Sequence, residues 1–210
     1  MNGSNETRRN REQFYKEMRR VLERAYLAGE DPRAQSGFRG DAARWERARR
    51  VIVEAVDRDG TFLDVGCANG HLMECVVEWG RAKGLRIEPY GVDLSPKLVA
   101  LAQRRLPQRA DHIFIGNALD WTPPMRFDFV RTELVYVPEV DRREFVGRLL
   151  TNVVAPSGRL IIAAYRGRHD PLDDTLADLS TWGFTVRGNA ESHDLDGMLL
   201  TRVAWIDAPN

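Results

Sequence analysis

The stretch that decides the fold is LDVGCANG, Leu63–Gly70. A short β-rich run, Thr61–Gly66, leads into it, and Leu72–Trp79 follows with apolar residues at helix spacing. A strand that reaches an acid, breaks into a turn of small residues and re-enters a helix is suited to holding a ligand. Glycine adopts φ > 0 without steric cost, and the first turn of a helix has N–H groups with no partner inside the helix. In open α/β sheets, ligands sit at the carboxyl ends of strands. A dinucleotide fingerprint starting at Gly66 needs glycine at 68 and 71, where Ala68 and His71 stand, so it matches poorly. The spacing acidic-x-Gly-x-small-x-Gly fits better, as Asp64, Gly66, Ala68 and Gly70.

Downstream, strand and helix patterns alternate. Ile87–Leu94 reads as a strand ending at Asp93, where a carboxylate can accept hydrogen bonds from both hydroxyls of a ribose. Ser95 and Pro96 start a helix that runs to Leu106. His112–Ile115 is a third strand, followed by GNALD, Gly116–Asp120; Asn117 can bond an adenine edge and Ala118 offers a backbone N–H. Phe127–Thr132 and Leu160–Tyr165 are strands, and Asp141–Glu144 (DRRE) has the form of a capping box before Phe145 and Val146. Asp170 and Pro171 open a helix through Leu172, Leu176 and Leu179. Phe184–Arg187 and Met198–Ile206 are the last two strands, with no helix pattern between them. This order predicts a parallel sheet with helices on both faces and one antiparallel edge.

Upstream, Phe14, Met18, Val21, Leu22 and Ala25 recur at helix spacing. Asp31–Gly40 is a loop, and Asp41 caps a second helix with its stripe at Trp45, Ala48, Ile52, Ala55 and Val56. The first helix and loop, residues 1–40, form a candidate lid through Tyr15 and Phe38, and residues 41–210 form the main domain. The 210 residues contain 31 basic and 31 acidic side chains, so a surface basic all over is excluded. Residues 1–50 hold 13 basic and 8 acidic residues, a net of +5 balanced by −5 in the remainder. That asymmetry mildly favours an RNA contact; a solvated helix face is the plainer reading of Arg8, Arg9, Arg11, Arg19, Arg20 and Arg24. The longest run without charge, Leu149–Gly158, is half of a membrane span, and no apolar segment follows the charged N-terminus. A cytoplasmic enzyme or binding protein, with no membrane contact, is the expectation. Cys67 and Cys75 are too few for a disulfide framework or a structural zinc site, and no metal is expected.

Five segments, in this order and spacing, together resemble the S-adenosylmethionine-dependent methyltransferases with a Rossmann-like fold. LDVGCANG is similar to their first motif, GVDLS (Gly91–Ser95) to their ribose-binding acidic site, and GNAL to their adenine site. FDFVRTELVYVPE (Phe127–Glu139) resembles the fourth-strand motif that borders the substrate, and APSGRLIIAAY (Ala155–Tyr165) the run into the fifth strand. The resemblance covers about residues 41–206. It implies an α/β fold with a seven-stranded, mostly parallel sheet whose final strand is antiparallel, preceded by N-terminal helices. It also implies S-adenosylmethionine as cofactor and S-adenosylhomocysteine as product. Cofactor contacts then fall to Asp64, Gly66, Cys67, Ala68, Gly70, Asp93, Leu94, Asn117 and Ala118, with Thr132 toward the methionine end.

This sequence departs from the family at several points. Ala68 replaces a central glycine, Asn117 stands where aspartate is commoner, and the fourth-strand motif is about two residues short between Asp128 and Tyr136. The Asn/Asp-Pro-Pro-Tyr signature of nucleic-acid base methylation is missing. A small-molecule acceptor, methylated at N or O by in-line displacement, is therefore expected over RNA or protein; a non-catalytic cofactor-binding module is the remaining alternative. Glu133 and Tyr136 are the candidate catalytic residues. Glu133 can bind an amine or take its proton, or be a solvated loop residue; Tyr136 can line the pocket or pack beneath it. His71, His112 and His169 read as surface or turn residues, and His193 reaches the site only if the last hairpin folds over it.

Overall fold

Phe62 and Leu63 are adjacent and both fully buried, yet they pack into different cores. So do Phe129 and Val130, and Ile161 and Ile162. Successive strand residues face opposite sides of a sheet, so these pairs mark strands covered on both faces. The computed structural model describes residues 2–166 and 175–209. Its strands are β1 (Gly60–Val65), β2 (Ile87–Asp93), β3 (Ile113–Ile115), β4 (Phe127–Thr132), β5 (Val154–Tyr165), β6 (Gly188–His193) and β7 (Leu199–Asp207). They form one sheet of seven strands in the order β3-β2-β1-β4-β5-β7-β6. The first five strands pair in parallel; β7 runs antiparallel between β5 and β6. The final strand is thus the antiparallel one, set one position in from the edge because β6 pairs outside it.

The helices are α1 (Asn2–Tyr26), α2 (Ala42–Arg49), α3 (His71–Ala82), α4 (Pro96–Arg105), α5 (Arg142–Arg148) and α6 (Thr175–Thr181). Trp45, Ala48, Ile52, Leu72, Val76 and Trp79, from α2, the turn after it and α3, fill one core. Phe145, Val146, Leu149 and Leu179 fill the opposite core. Each large side chain fully buried there contributes about 1.5–3 kcal/mol relative to exposure. Asp41 and Ser95 cap α2 and α4 through the N–H groups of Arg44 and Leu98. No helix among the described residues is long and apolar enough to cross a membrane.

Three readings of the sequence change, and one is left untested. Asp141 does not cap α5: its side chain makes no cap bond and instead takes two hydrogen bonds from Arg11, at 2.9 and 2.5 Å. A buried carboxylate gains more from a bidentate guanidinium than from a backbone N–H. Phe184–Arg187 is not a strand. Phe184 and Val186 pack on the core without joining a ladder, and the pairing strand is the polar edge Gly188–His193. The apolar pattern there reported burial, not pairing. His71 and His112 are not plain surface residues; they stack on Trp45 and Tyr90, with ring centroids 4.9 and 4.0 Å apart. The last helix is seen as Thr175–Thr181, and its expected start at Asp170–Leu172, like His169, lies outside the described residues.

Helix α1 lies across the carboxyl ends of the strands. Beside Asp141, Arg11 also reaches Glu144 at 3.3 Å. At the other end of the helix, Glu23 accepts from Ser95 Oγ at 2.8 Å and pairs with Lys97 at 2.9 Å. These two pins hold the helix over the tips of the sheet.

Candidate active site

Between β1 and α3 the chain turns through Gly66, Ala68 and Gly70 at φ of 83°, 46° and 77°. Two of the three are glycines; Ala68 carries the strain of a left-handed residue with a Cβ. The turn is tied to the tip of β2. Gly66 and Cys67 donate to Val92 O at 2.8 and 3.1 Å, and Ala68 N donates to Asp93 Oδ2 at 2.9 Å. Asp93 Oδ1 accepts from Ser95 N at 2.8 Å. Each carboxylate oxygen keeps further acceptor capacity. Burial pushes the Asp93 carboxyl up to about 6 against the pull of these two backbone bonds.

Above the turn lies a cavity of about 970 Å³, within the range of small-molecule sites. One wall is Gly66, Ala68, Asp93, Leu94, Asn117 and Ala118; the other includes Glu133, Tyr136 and Tyr165. Tyr15, Met18, Leu22 and Tyr26 of α1, with Phe38 from the following loop, close it from above. The Tyr15 hydroxyl is buried there beside the Asn117 side chain. Asn117 Oδ1 accepts from Leu119 N at 3.0 Å, which leaves its amide nitrogen to donate. The donor set fits an adenosine: a carboxylate at a strand tip for the ribose, an amide and small residues for the base.

The centre of the second wall is Arg131, a residue that sequence reasoning missed. It is only 2% exposed. Nη1 donates to Asp64 at 2.9 Å; Nη2 donates to Glu133 Oε1 at 2.5 Å and to Tyr165 Oη at 2.7 Å. Tyr136 Oη donates to the same Glu133 oxygen at 2.5 Å. Burial pushes the Tyr136 and Tyr165 phenols up, so both remain proton donors. Tyr136 also lies against the turn: a Cβ on Gly66 would collide with its ring. The glycine is required by packing as well as by φ.

The expected residues separate into two groups. Gly66, Ala68, Asp93, Leu94, Asn117, Ala118, Glu133 and Tyr136 line one cavity. Asp64, Cys67, Gly70 and Thr132 are not among its lining residues. Asp64, 1% exposed, is bound by Arg131; Cys67 and Thr132 are buried. His193 sits on the edge strand, half exposed, outside the cavity. Asn69 was also missed. It is fully buried, donates to Pro32 O and Gln35 Oε1, and accepts from Ser36 Oγ, so it ties the 31–40 loop to the glycine turn. A side-chain amide between glycines, with both donor and acceptor atoms, was the available signal.

A family model described as a methyltransferase domain matches residues 62–158, from β1 into β5. No curated protein sequence matches the chain. Among solved structures, the N-methyltransferase NodS from Bradyrhizobium japonicum WM9, in complex with S-adenosyl-L-homocysteine, is similar at a TM-score of 0.66 and 19% identity. That match covers 91% of this chain and 98% of the other. The 1,6-didemethyltoxoflavin-N1-methyltransferase of Burkholderia thailandensis, also with S-adenosylhomocysteine, is similar at 0.65 and 16% identity, over 95% of this chain and 91% of the other. The [4+2]-cyclase SpnF is similar at 0.56 and 16% identity, over 78% of this chain and 81% of the other. Residues 62–158 thus match a methyltransferase domain, and the chain has the Rossmann-like fold of the similar S-adenosylhomocysteine-bound methyltransferases.

Proposed function

We propose that this enzyme transfers a methyl group to a nitrogen or oxygen of a small molecule. The observation that supports this best is the single cavity with Asp93 and the glycine turn on one wall, Glu133 and Tyr136 on the other, and α1 as its roof. Bound S-adenosylmethionine supplies an electrophilic methyl for in-line displacement, leaving S-adenosylhomocysteine. Asp93 accepts from the ribose hydroxyls, Leu94 and Ala118 flank the base, and the Asn117 amide bonds its edge. Gly66 and Ala68 admit the ligand close to the backbone. Asp64, Cys67 and Gly70 act from behind, shaping the turn, and Thr132 fixes the end of β4.

On the acceptor side, Glu133 Oε1 is already shared by Arg131 and Tyr136. Glu133 therefore serves first to hold and orient an amine or hydroxyl. Alignment of this kind supplies up to about 7–11 kcal/mol of a barrier; a general base adds a further 10²–10⁴-fold, about 3–5 kcal/mol. Residues 1–40 act as the lid. The small-molecule reading is supported by the names of the two similar N-methyltransferases. It is supported too by the N-terminal charges: Arg8, Arg11 and Arg20 are paired with Glu12, Asp141 and Glu17, which weakens any grip on phosphates.

The test is incubation with trideuteromethyl-labelled cofactor and a panel of small amines, phenols and carboxylic acids, read by mass spectrometry. Label on a small molecule supports the reading. Label found only on RNA or protein overturns it, and tight S-adenosylhomocysteine binding with no transfer anywhere assigns the fold to a non-methylating use.

A further inference from the structure

The cavity contains a second buried guanidinium. Arg49, at the end of α2, is 8% exposed and lines the same space. Its Cζ sits 3.4 Å from the centroid of the Tyr165 ring and 5.2 Å from those of Phe38 and Trp45. Among the described residues it makes no ion pair and no side-chain hydrogen bond, and Glu133 attracts it only through space. Arg131 has four partners. Aromatic stacking attracts the face of a guanidinium and leaves its five N–H donors unmet. Buried cations are normally paired, because desolvation is costly. Glu133 attracts Arg49 without bonding it; its Oε1 is held by Arg131 and Tyr136.

We propose that Arg49 anchors an anionic group, a carboxylate above all, on the acceptor. This rests on the small-molecule methyltransferase reading and names the acceptor class within it. The position lies away from the nucleoside of the cofactor. Arg49 lies on Tyr165 at the end of β5, in a cavity whose wall there is continued by Met198 and by Leu200 of β7; the nucleoside side is formed by the tips of β1, β2 and β3. The planar fork of a guanidinium matches the two oxygens of a carboxylate. Phe38, Val135, Met198 and Leu200 supply apolar surface for the body of the molecule. The acceptor is then a small, largely apolar amine or hydroxyl compound carrying a carboxylate, held by Arg49 at one end and by Glu133 at the reacting end.

The experiment is calorimetry on the S-adenosylhomocysteine complex with matched acid and amide pairs: benzoate and benzamide, 4-aminobenzoate and 4-aminobenzamide, indole-3-acetate and its amide. Wild type, Arg49→Gln and Arg49→Lys are compared. Wild type binds the acid of at least one pair about tenfold or more tighter than its amide, as a charge-assisted bond requires. Arg49→Gln abolishes that preference and Arg49→Lys retains part of it. All three bind S-adenosylhomocysteine alike, which also shows that they are folded. Absence of any acid preference in wild type, or its survival in Arg49→Gln, overturns the proposal. A loss of S-adenosylhomocysteine affinity in Arg49→Gln overturns it too, by assigning the guanidinium to the cofactor's own carboxylate. Failure of wild type to bind S-adenosylhomocysteine is a different result: it removes the methyltransferase reading, and the acceptor class falls with it.

Discussion

Arg131→Met leaves a carboxylate stranded. Asp64 is 1% exposed, and among the described residues its one hydrogen-bond donor from a side chain is Arg131, at 2.9 Å. Burial already pushes the Asp64 carboxyl up, and Arg131 opposes that shift. Removing one partner of a buried pair typically costs about 3–5 kcal/mol, because the charge left behind is uncompensated. Against a total stability of about 5–15 kcal/mol, that is a large fraction. For a chain of this size each kcal/mol moves Tm by about 2–4 °C, so a drop of about 6–20 °C is expected. Urea unfolding of Arg131→Met, Asp64→Asn and the double variant forms the cycle. With Asp64 neutral, the arginine loses much of its importance, so the double variant is more stable than the sum of the singles implies. A loss below about 1 kcal/mol in Arg131→Met refutes the reasoning. So does additivity of the two singles within about 0.5 kcal/mol, the scatter of independent sites.

Asp93→Ala lowers S-adenosylhomocysteine affinity by about 1–3 kcal/mol, since two ribose hydroxyls lose a buried acceptor; unchanged calorimetric affinity places the ribose elsewhere. Asp93 also gives a pH signature in the ligand-free protein. Its folded value, raised to about 6, exceeds the usual carboxylate value near ~3.9, so between these pH values the folded chain holds a proton that the unfolded chain has lost. Stability from this group is fully present below about pH 4 and is lost as pH rises through about 6, by about 3 kcal/mol in all. Urea titrations of wild type and Asp93→Asn then converge at acid pH and diverge above it, and parallel pH curves contradict the assignment. Gly66→Ala places a Cβ at φ 83° against the Tyr136 ring and costs about 2 kcal/mol or more; a neutral effect on Tm means the ring does not pack there. Glu133→Gln lowers turnover with little change in cofactor affinity, and wild-type kinetics remove its role on the acceptor side.

The glycine turn and the strand tips were legible because backbone geometry restricts residue choice. Gly66 and Gly70 occupy left-handed φ, and Asp93 sits where β2 ends beside the turn. The sheet was legible because both-face burial writes continuous apolar runs such as Leu160–Ala164. Arg131 was not legible. In sequence it is a charged residue inside FDFVRTEL, and its meaning comes from Asp64 on the neighbouring strand and Tyr165 on the next. Arg49 was hidden among the arginines of α2, where only packing separates a buried guanidinium from Arg50, which pairs with Glu46 at the surface. Asp141 misled for a related reason: a capping box is a local pattern, and the partner that prevailed, Arg11, is 130 residues away. Local chemistry could be read from order along the chain; charge pairing across strands could not.

The most direct test of the central claim is a crystal structure of the protein with S-adenosylhomocysteine. The account predicts the ribose hydroxyls on the Asp93 carboxylate, the base beside Asn117 and Ala118, and the sulfur facing the Glu133 and Tyr136 wall beneath α1. A nucleoside bound outside this cavity, or inside it without contact to Asp93, contradicts the account.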